Sequence, residues 1–208
     1  MGIELEENHD EKIKAQIEAL TTAQIRDSLT DYPSGSKTYR LQKGQRGGCG
    51  VFFNPNGEYS RYGLMKEGIG SLYAAYTPRT SMKEVFQNVP AIKVTDLDYY
   101  HMATLVTEKD LKIVDIARLA PKIPATAHQL TCGNYRTTQI LAEKLSEHAD
   151  GLKYISNVTL EPCIVLWDSD SSGKGVIRTE VLTVLSEFEY GGELAEEILV
   201  NDLNIPVI

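Results

Sequence analysis

Three side chains in this 208-residue sequence stand out for the chemistry their types allow: Arg40, Tyr73 and Glu84. Arg40 lies in "KTYRLQKGQR", where Lys37, Arg40, Lys43 and Arg46 fall within ten residues that hold no acid. A guanidinium presents a planar fork of N–H donors that matches paired phosphate oxygens, so this cationic cluster is where an anionic ligand would be gripped. Glu84, in "PRTSMKEVF", could face a group that turns cationic during reaction and stabilise it. Tyr73, in "SLYAAY", offers a ring wall to a flat or sugar-like ligand. Gly47, Gly48 and Gly50 lie between them in the chain and would let backbone approach such a ligand. Each residue also has a plainer reading. "SMKE" has the spacing of a capping box, Arg40 with its lysines suits a solvated strand face, and Tyr73 in an alternating strand suits the core.

Other motifs carry less. "WDSDSSGKG" fails as a phosphate loop because Lys174 is followed by Gly175. Read as an EF-hand, it starts well with Asp168, Asp170, Ser172 and Gly173, but Thr179 occupies the position of the bidentate carboxylate. A polar turn is the better reading. His9, His101, His128 and His148 form no HExxH or close pair, so neither a metal enzyme nor a local Ser/His triad is expected. Cys49, Cys132 and Cys163 are odd in number, far apart and without a CxxC pair, and read as reduced, mostly buried thiols.

The elements that must position these residues follow from periodicity. Residues 9–29 read as one helix, with Asn8 and Glu11 as a capping box and "DYPSG" as its stop. A strand "KTYRL", the glycine-rich "GQRGGCG", the turn "NPNG", a strand "SLYAAY" and a helix over "PRTSMKEVF" come next. Two or three strands are expected in 91–116, a helix over about 135–149, and strands at "LKYISNV" and "CIVLWD". The tail, 174–208, mixes a β-prone run, "VIRTEVLTVL", with an acidic helical segment, "GELAEEILV". Strands and helices do not alternate as βαβ units, so the fold class is α+β with mostly antiparallel strands. The expected organisation is an N-terminal helical extension (1–35), a main domain that carries these candidate residues (36–170) and a C-terminal extension packing on it (171–208).

A chain with 42% hydrophobic and 24% charged residues suits one domain with a full core. A net charge of −8 argues against direct nucleic-acid binding, which needs a basic face. No run of eighteen apolar residues predicts a membrane span, and the acidic "MGIELEENHDEK" does not resemble a secretory signal, so a cytoplasmic location is expected. The amphipathic stretches 9–29 and 192–200 are candidate partner or homodimer surfaces, with packing onto their own domain as the plainer alternative.

The order "YR", a glycine-rich segment leading to aromatic-Asn-Pro and Gly, "LYAA", a Pro followed six residues later by Glu, and much later "G-x-x-Y-x-S" resembles the RES-domain family over roughly residues 37–168. The arginine, glutamate and serine of that family's name would be Arg40, Glu84 and Ser156. The resemblance implies an ADP-ribosyltransferase-like core of two small sheets with flanking helices. It also implies a toxin that cleaves the nicotinamide–ribose bond of NAD+ without a metal. ADP-ribose would pass to inorganic phosphate or water, and a cognate antitoxin or immunity protein would restrain the toxin. A protein ADP-ribosyltransferase, or an inactive interaction module, are the alternatives. Arg40, Tyr73, Glu84 and Ser156 would be catalytic, and Arg40, Arg46, Gly48, Gly50, Asn54, Arg61 and Tyr62 would bind the dinucleotide.

The chemistry agrees with the residue types. Nicotinamide leaves neutral from a cationic ring, so no general acid is needed, and the costly oxocarbenium-like sugar is what a facing glutamate stabilises. The sequence departs from the family at "GVFFNP", where Val51 and Phe52 stand in place of a basic residue. Arg46 or Arg61 would then have to supply it.

Overall fold

The computed structural model describes residues 11–123, 130 and 135–208. Residues 11–18 (α1) and Thr22–Arg26 (α2) are helical, with Ile13, Ile17, Leu20 and Ile25 buried. The single helix expected over 9–29 is therefore broken. Thr21 takes the Gln24 N–H on its hydroxyl at 3.2 Å, and the Gln24 side chain accepts the Thr21 N–H at 2.9 Å. This reciprocal capping box starts a new helix where the apolar spacing alone suggests continuity. Asn8 lies outside the described residues.

Eight strands form one sheet: β1 (Leu29–Tyr32), β2 (Lys37–Lys43), β3 (Gly70–Ala75), β4 (Tyr100–Thr107), β5 (Leu111–Asp115), β6 (Gly151–Ile155), β7 (Pro162–Asp168) and β8 (Ile177–Val184). Their order is β1-β5-β6-β7-β3-β2-β4-β8, and every pair is antiparallel except β5 with β6. The α+β, mostly antiparallel architecture expected from the sequence is what the chain adopts. Its two halves, β1-β5-β6-β7-β3 and β2-β4-β8, meet at the single pair Tyr39↔Ala75, so the anticipated division into two sheets is present as a split within one. β9 (Glu189–Tyr190) and β10 (Glu193–Leu194) make a separate two-stranded sheet. The segments expected as terminal extensions supply both edge strands, β1 and β8.

Helices α3 (Pro78–Phe86), α4 (Ile116–Leu119) and α5 (Tyr135–Ser146) flank the sheet, and a last helical stretch runs over Ala195–Glu197 and on to Asp202. Cys163, Val165 and Trp167 of β7 pack with Ile17, Leu141 and Leu145, while Ile164 and Leu166 pack with Phe53, Leu72 and Leu105. Burial on both faces explains why "CIVLWD" is continuously apolar. A third cluster joins Met82 and Phe86 of α3 to Leu41, Met102, Ile198 and Leu199. Both amphipathic end segments thus bury their apolar faces in their own domain. "WDSDSSGKG" is the polar turn expected: Asp168 accepts the Asp170 N–H, and Asp170 accepts the Ser172 N–H, each at 2.8 Å. Among the described residues no helix is long and apolar enough to cross a membrane.

Candidate active site

The split between β2 and β3 leaves backbone donors of β2 without a strand partner, and α3 fills the role. Ser81 of α3 accepts the Leu41 N–H at 2.7 Å in a buried setting. The helix itself is started by Thr77, whose hydroxyl accepts the Thr80 N–H at 3.2 Å, with Pro78 at its first position. Ser81 is therefore not a cap, and the capping-box reading of "SMKE" falls away. Its hydroxyl ties the helix that carries Glu84 to the strand that carries Arg40.

A cleft of about 270 Å³ opens at this junction, and Arg40, Tyr73, Ser81, Glu84, Tyr154 and Cys163 line it. Arg40 is half-buried, and its Nη1 donates to the Phe52 carbonyl at 3.2 Å. No carboxylate among the described residues pairs with it. Burial, reinforced by the Arg46 charge, lowers its pKa to about 10. It remains cationic at neutral pH, so an anion in the cleft would relieve the cost of its partial desolvation.

Burial pushes the Cys163 thiol up to about 12, with the negative charge of Glu84 as the second cause. Glu84 acts in the same direction on the Tyr154 phenol, after burial and Cys163. The half-buried carboxylate thus looks onto the floor of the cleft. Burial also raises the Tyr73 phenol to about 12, and its Oη accepts the Tyr62 N–H at 2.7 Å. Tyr73 therefore presents a neutral ring to the cleft and fastens the 57–62 turn behind it.

Other expected site residues have different surroundings. Ser156 is fully buried and does not line the cleft; its Oγ accepts the Val158 and Thr159 N–H groups, both at 3.2 Å. It shapes the β6–β7 loop, from which Thr159 Oγ1 lies 3.1 Å from Thr80 Oγ1. From the same loop Glu161 accepts the Thr77 hydroxyl at 2.6 Å and also that of Thr80, so the loop holds the start of α3.

Tyr62, expected to touch the dinucleotide, is a core residue. It is 0% exposed, donates its hydroxyl to the Leu130 carbonyl at 3.0 Å and packs its ring on Tyr154 at 5.1 Å. Gly50, expected as an approach point, has a packing reason instead: a Cβ there would lie 2.3 Å from the Ala103 Cβ. Gly48, at φ +85° with open space around it, keeps the character of an exposed backbone turn, and Arg46 is exposed on the same turn. Asn54 accepts the Asn56 N–H at 3.0 Å and bridges Ser71, a local turn role. Arg61 is half-buried beside Tyr62.

Sequence reasoning missed Tyr154 as a cleft residue and gave Cys163 no role beyond burial. The alternation of "LKYISNV" puts Tyr154 on one face, but only the pairing Tyr154↔Cys163 brings it to the cleft. Of the two described cysteines Cys163 is buried and Cys49 is exposed, against the expectation for the latter; Cys132 lies outside the described residues. No three His, Cys, Asp or Glu side chains among the described residues gather as a metal site.

A larger depression of about 590 Å³ adjoins the start of α3, but its cations are already engaged. Arg79 pairs with Glu193 at 2.9 Å and with Asp202, and Lys83 donates to the Leu203 carbonyl at 2.7 Å. The cleft between Arg40 and Glu84 is the better candidate because no carboxylate among the described residues pairs with its guanidinium.

A family profile described as the RES domain matches residues 39–184. No curated protein matches the chain. Among solved structures, the M. tuberculosis MbcT-MbcA toxin-antitoxin complex holds a chain of similar fold, with a TM-score of 0.59 and 12% sequence identity. The match covers 82% of this chain and 90% of that one.

Proposed function

The chain belongs to the RES domain family, and from that membership we propose that it is the toxin of a toxin–antitoxin pair, splitting NAD+ at the nicotinamide–ribose bond. One observation carries the reading to this chain's own residues: Arg40 and Glu84, far apart in sequence, line one cleft. At about 270 Å³ the cleft is smaller than the ~300–1,000 Å³ usual for a complete ligand site. It suits the nicotinamide riboside end of the dinucleotide, with the adenosine end outside.

Arg40 takes diphosphate oxygens in its guanidinium fork. Tyr73 walls the nicotinamide ring or its ribose. Glu84 faces the ribose, accepts a hydrogen bond from its 2-hydroxyl and stabilises positive charge as the bond breaks. The electron pair of the C–N bond passes to the pyridinium nitrogen, so nicotinamide departs neutral. A phosphate or water oxygen then attacks the sugar carbon, and water loses its proton to solvent. Ser156 acts through the loop that holds α3, positioning Glu84 rather than touching substrate. An antitoxin partner belongs to the same reading, since the similar solved structure is a toxin-antitoxin complex.

The test is nicotinamide release from NAD+, followed by chromatography with and without inorganic phosphate. A phosphate-dependent product marks a phosphorylase, and free ADP-ribose marks a glycohydrolase. Labelled ADP-ribose on protein would move the reading to a protein ADP-ribosyltransferase. No release together with no NAD+ binding in calorimetry would overturn it in favour of a non-catalytic module.

A further inference from the structure

The large sheet has two edges, and they are guarded differently. β1 is short, runs into Pro33, carries the ion pair of Asp31 with Lys112, and gives its Leu29 carbonyl to Arg118 Nη1 at 3.2 Å. These are ordinary ways of blunting an edge. β8 is blunted over its first half only. Glu180 is an extra residue opposite Thr104 and Leu105, a bulge, and its carboxylate lies 2.6 Å from Lys37 and 4.0 Å from Arg178. The second half, "VLTV" at 181–184, has no charge, no proline and no bulge. Val181 is 50% exposed, and among the described residues no backbone group of this stretch bonds to anything but β4. An apolar edge of this kind is a template on which another chain can pair.

Charge decides what that template selects. From Thr179 to Ile208 the chain has seven carboxylates and no Lys, Arg or His, so these residues carry −7 of the net −8. Glu180, Glu193 and Asp202 are paired with Lys37 or Arg79, and Glu197 accepts the Leu194 N–H. Glu187 and Glu189, just past the end of β8, are exposed and pair with no cation among the described residues. The turn Val94–Tyr99 lies against both β8 and the turn Leu185–Glu187. It adds an exposed Asp98, likewise without an ion pair, and the exposed side chains of Val94 and Tyr99. Lys93 is the one base in 84–108. A second copy of this chain would bring two such acidic ends together and be repelled, as would a nucleic acid or an anionic membrane, whereas a cationic chain is attracted.

We propose that β8 is a docking edge for a basic, extended segment of a partner protein, which adds as a further strand beside 181–184 and sets Lys or Arg side chains against Glu187, Glu189 and Asp98. Main-chain hydrogen bonds supply the pairing and the carboxylates supply the choice of partner. The edge is separate from the cleft, since Arg40 lies on β2, two strands in from β8. The inference goes beyond the proposed NAD+ reaction and does not depend on it.

The probe is a capped, fluorescent peptide of about nine residues that alternates lysine with valine. It is compared with a glutamate–valine counterpart and with the lysine peptide N-methylated throughout its centre, which removes the main-chain donors of both its edges. Anisotropy with the full chain measures binding, and amide exchange locates it. The lysine peptide should bind about tenfold or more tighter than the glutamate peptide, with the gap closing as salt rises from about 0.05 M to about 0.5 M. N-methylation should weaken it by a further tenfold or so, and exchange should slow at 181–184. Glu187→Gln combined with Asp98→Asn should weaken binding by about three- to tenfold. Val181→Lys, which puts a cation on the open half of the edge, should abolish binding with the thermal midpoint held; should that variant fail to fold, the charge variant and the N-methylated peptide carry the test. Absent binding of the lysine peptide, equal binding of the two charge forms, indifference to N-methylation, or protection away from β8 overturns the proposal. So does light scattering that finds a dimer which Val181→Lys dissociates, because the edge then belongs to a second copy.

Discussion

Replacing Glu84 with Gln keeps the volume of the side chain and removes its charge, so it isolates the electrostatic role proposed for the carboxylate. The cleft around it is lined largely by Leu41, Ala74, Ala75, Val85, Tyr73 and Cys163, few of which offer a dipole to screen a charge. A carboxylate about 4 Å from a sugar cation at an effective permittivity of about 20 contributes about 4 kcal/mol. At ~1.36 kcal/mol per tenfold that is nearly three powers of ten, and the residual dipole of Gln and entry of water bring the expected loss to about a hundred- to a thousandfold. The loss should fall mainly on kcat, since the positive charge moves from the pyridinium ring onto the facing sugar only in the transition state. Nicotinamide release under saturating NAD+ measures it.

A ligand-free readout accompanies this. Glu84 is one of the charges that raise the Cys163 thiol, so in a protein whose other cysteines are Ser, Glu84→Gln should shift the pH profile of Cys163 alkylation downward. Activity within tenfold of wild type would refute the catalytic role. An unmoved alkylation profile would refute the placement of the carboxylate against the cleft floor.

Ser81→Ala leaves the Leu41 N–H without its acceptor in a buried setting and should cost about 1–3 kcal/mol in urea unfolding, with a fall in kcat as α3 loosens from β2. Gly50→Ala drives a methyl group into Ala103 and should cost about 1–3 kcal/mol with no dependence on added ligand, as a packing role requires. Hydroxyl donors from Thr77 and then Thr80 hold the Glu161 carboxyl below its ordinary value. Its stabilisation is therefore complete above the unfolded carboxylate pKa of about 4.3 and is lost as pH falls through the lower folded value. Chemical denaturation across that acid range should show a shallower pH dependence in Glu161→Gln than in wild type, and an identical slope would argue against those bonds.

What was legible in the sequence was local. Proline, glycine and alternation marked the helix Pro78–Phe86, the strand Gly70–Ala75 and the antiparallel class, because turn chemistry and side-chain period act over a few residues. Arg40, Tyr73 and Glu84 could be chosen by type and order, since each matches a charge or a ring that the chemistry needs. The Thr21/Gln24 box that divides the first helix was also on the page, as T-x-x-Q, but the apolar spacing across it was the stronger signal.

Tertiary structure decided the rest. "SMKE" reads equally as a cap or as part of a site, and only the divergence of β2 from β3, which leaves the Leu41 N–H in need of an acceptor, chose between them. Tyr62 and Ser156 differ from Tyr73 in nothing a spacing rule can detect. The register of β3, β6 and β7 turns Tyr73 to the cleft, while the core takes Tyr62 and the β6–β7 loop takes Ser156. Residue types state which chemistry a chain can perform. Which of those side chains share a cavity depends on strand order and on which backbone groups the sheet leaves unpaired, and both are set by contacts between segments far apart in the chain.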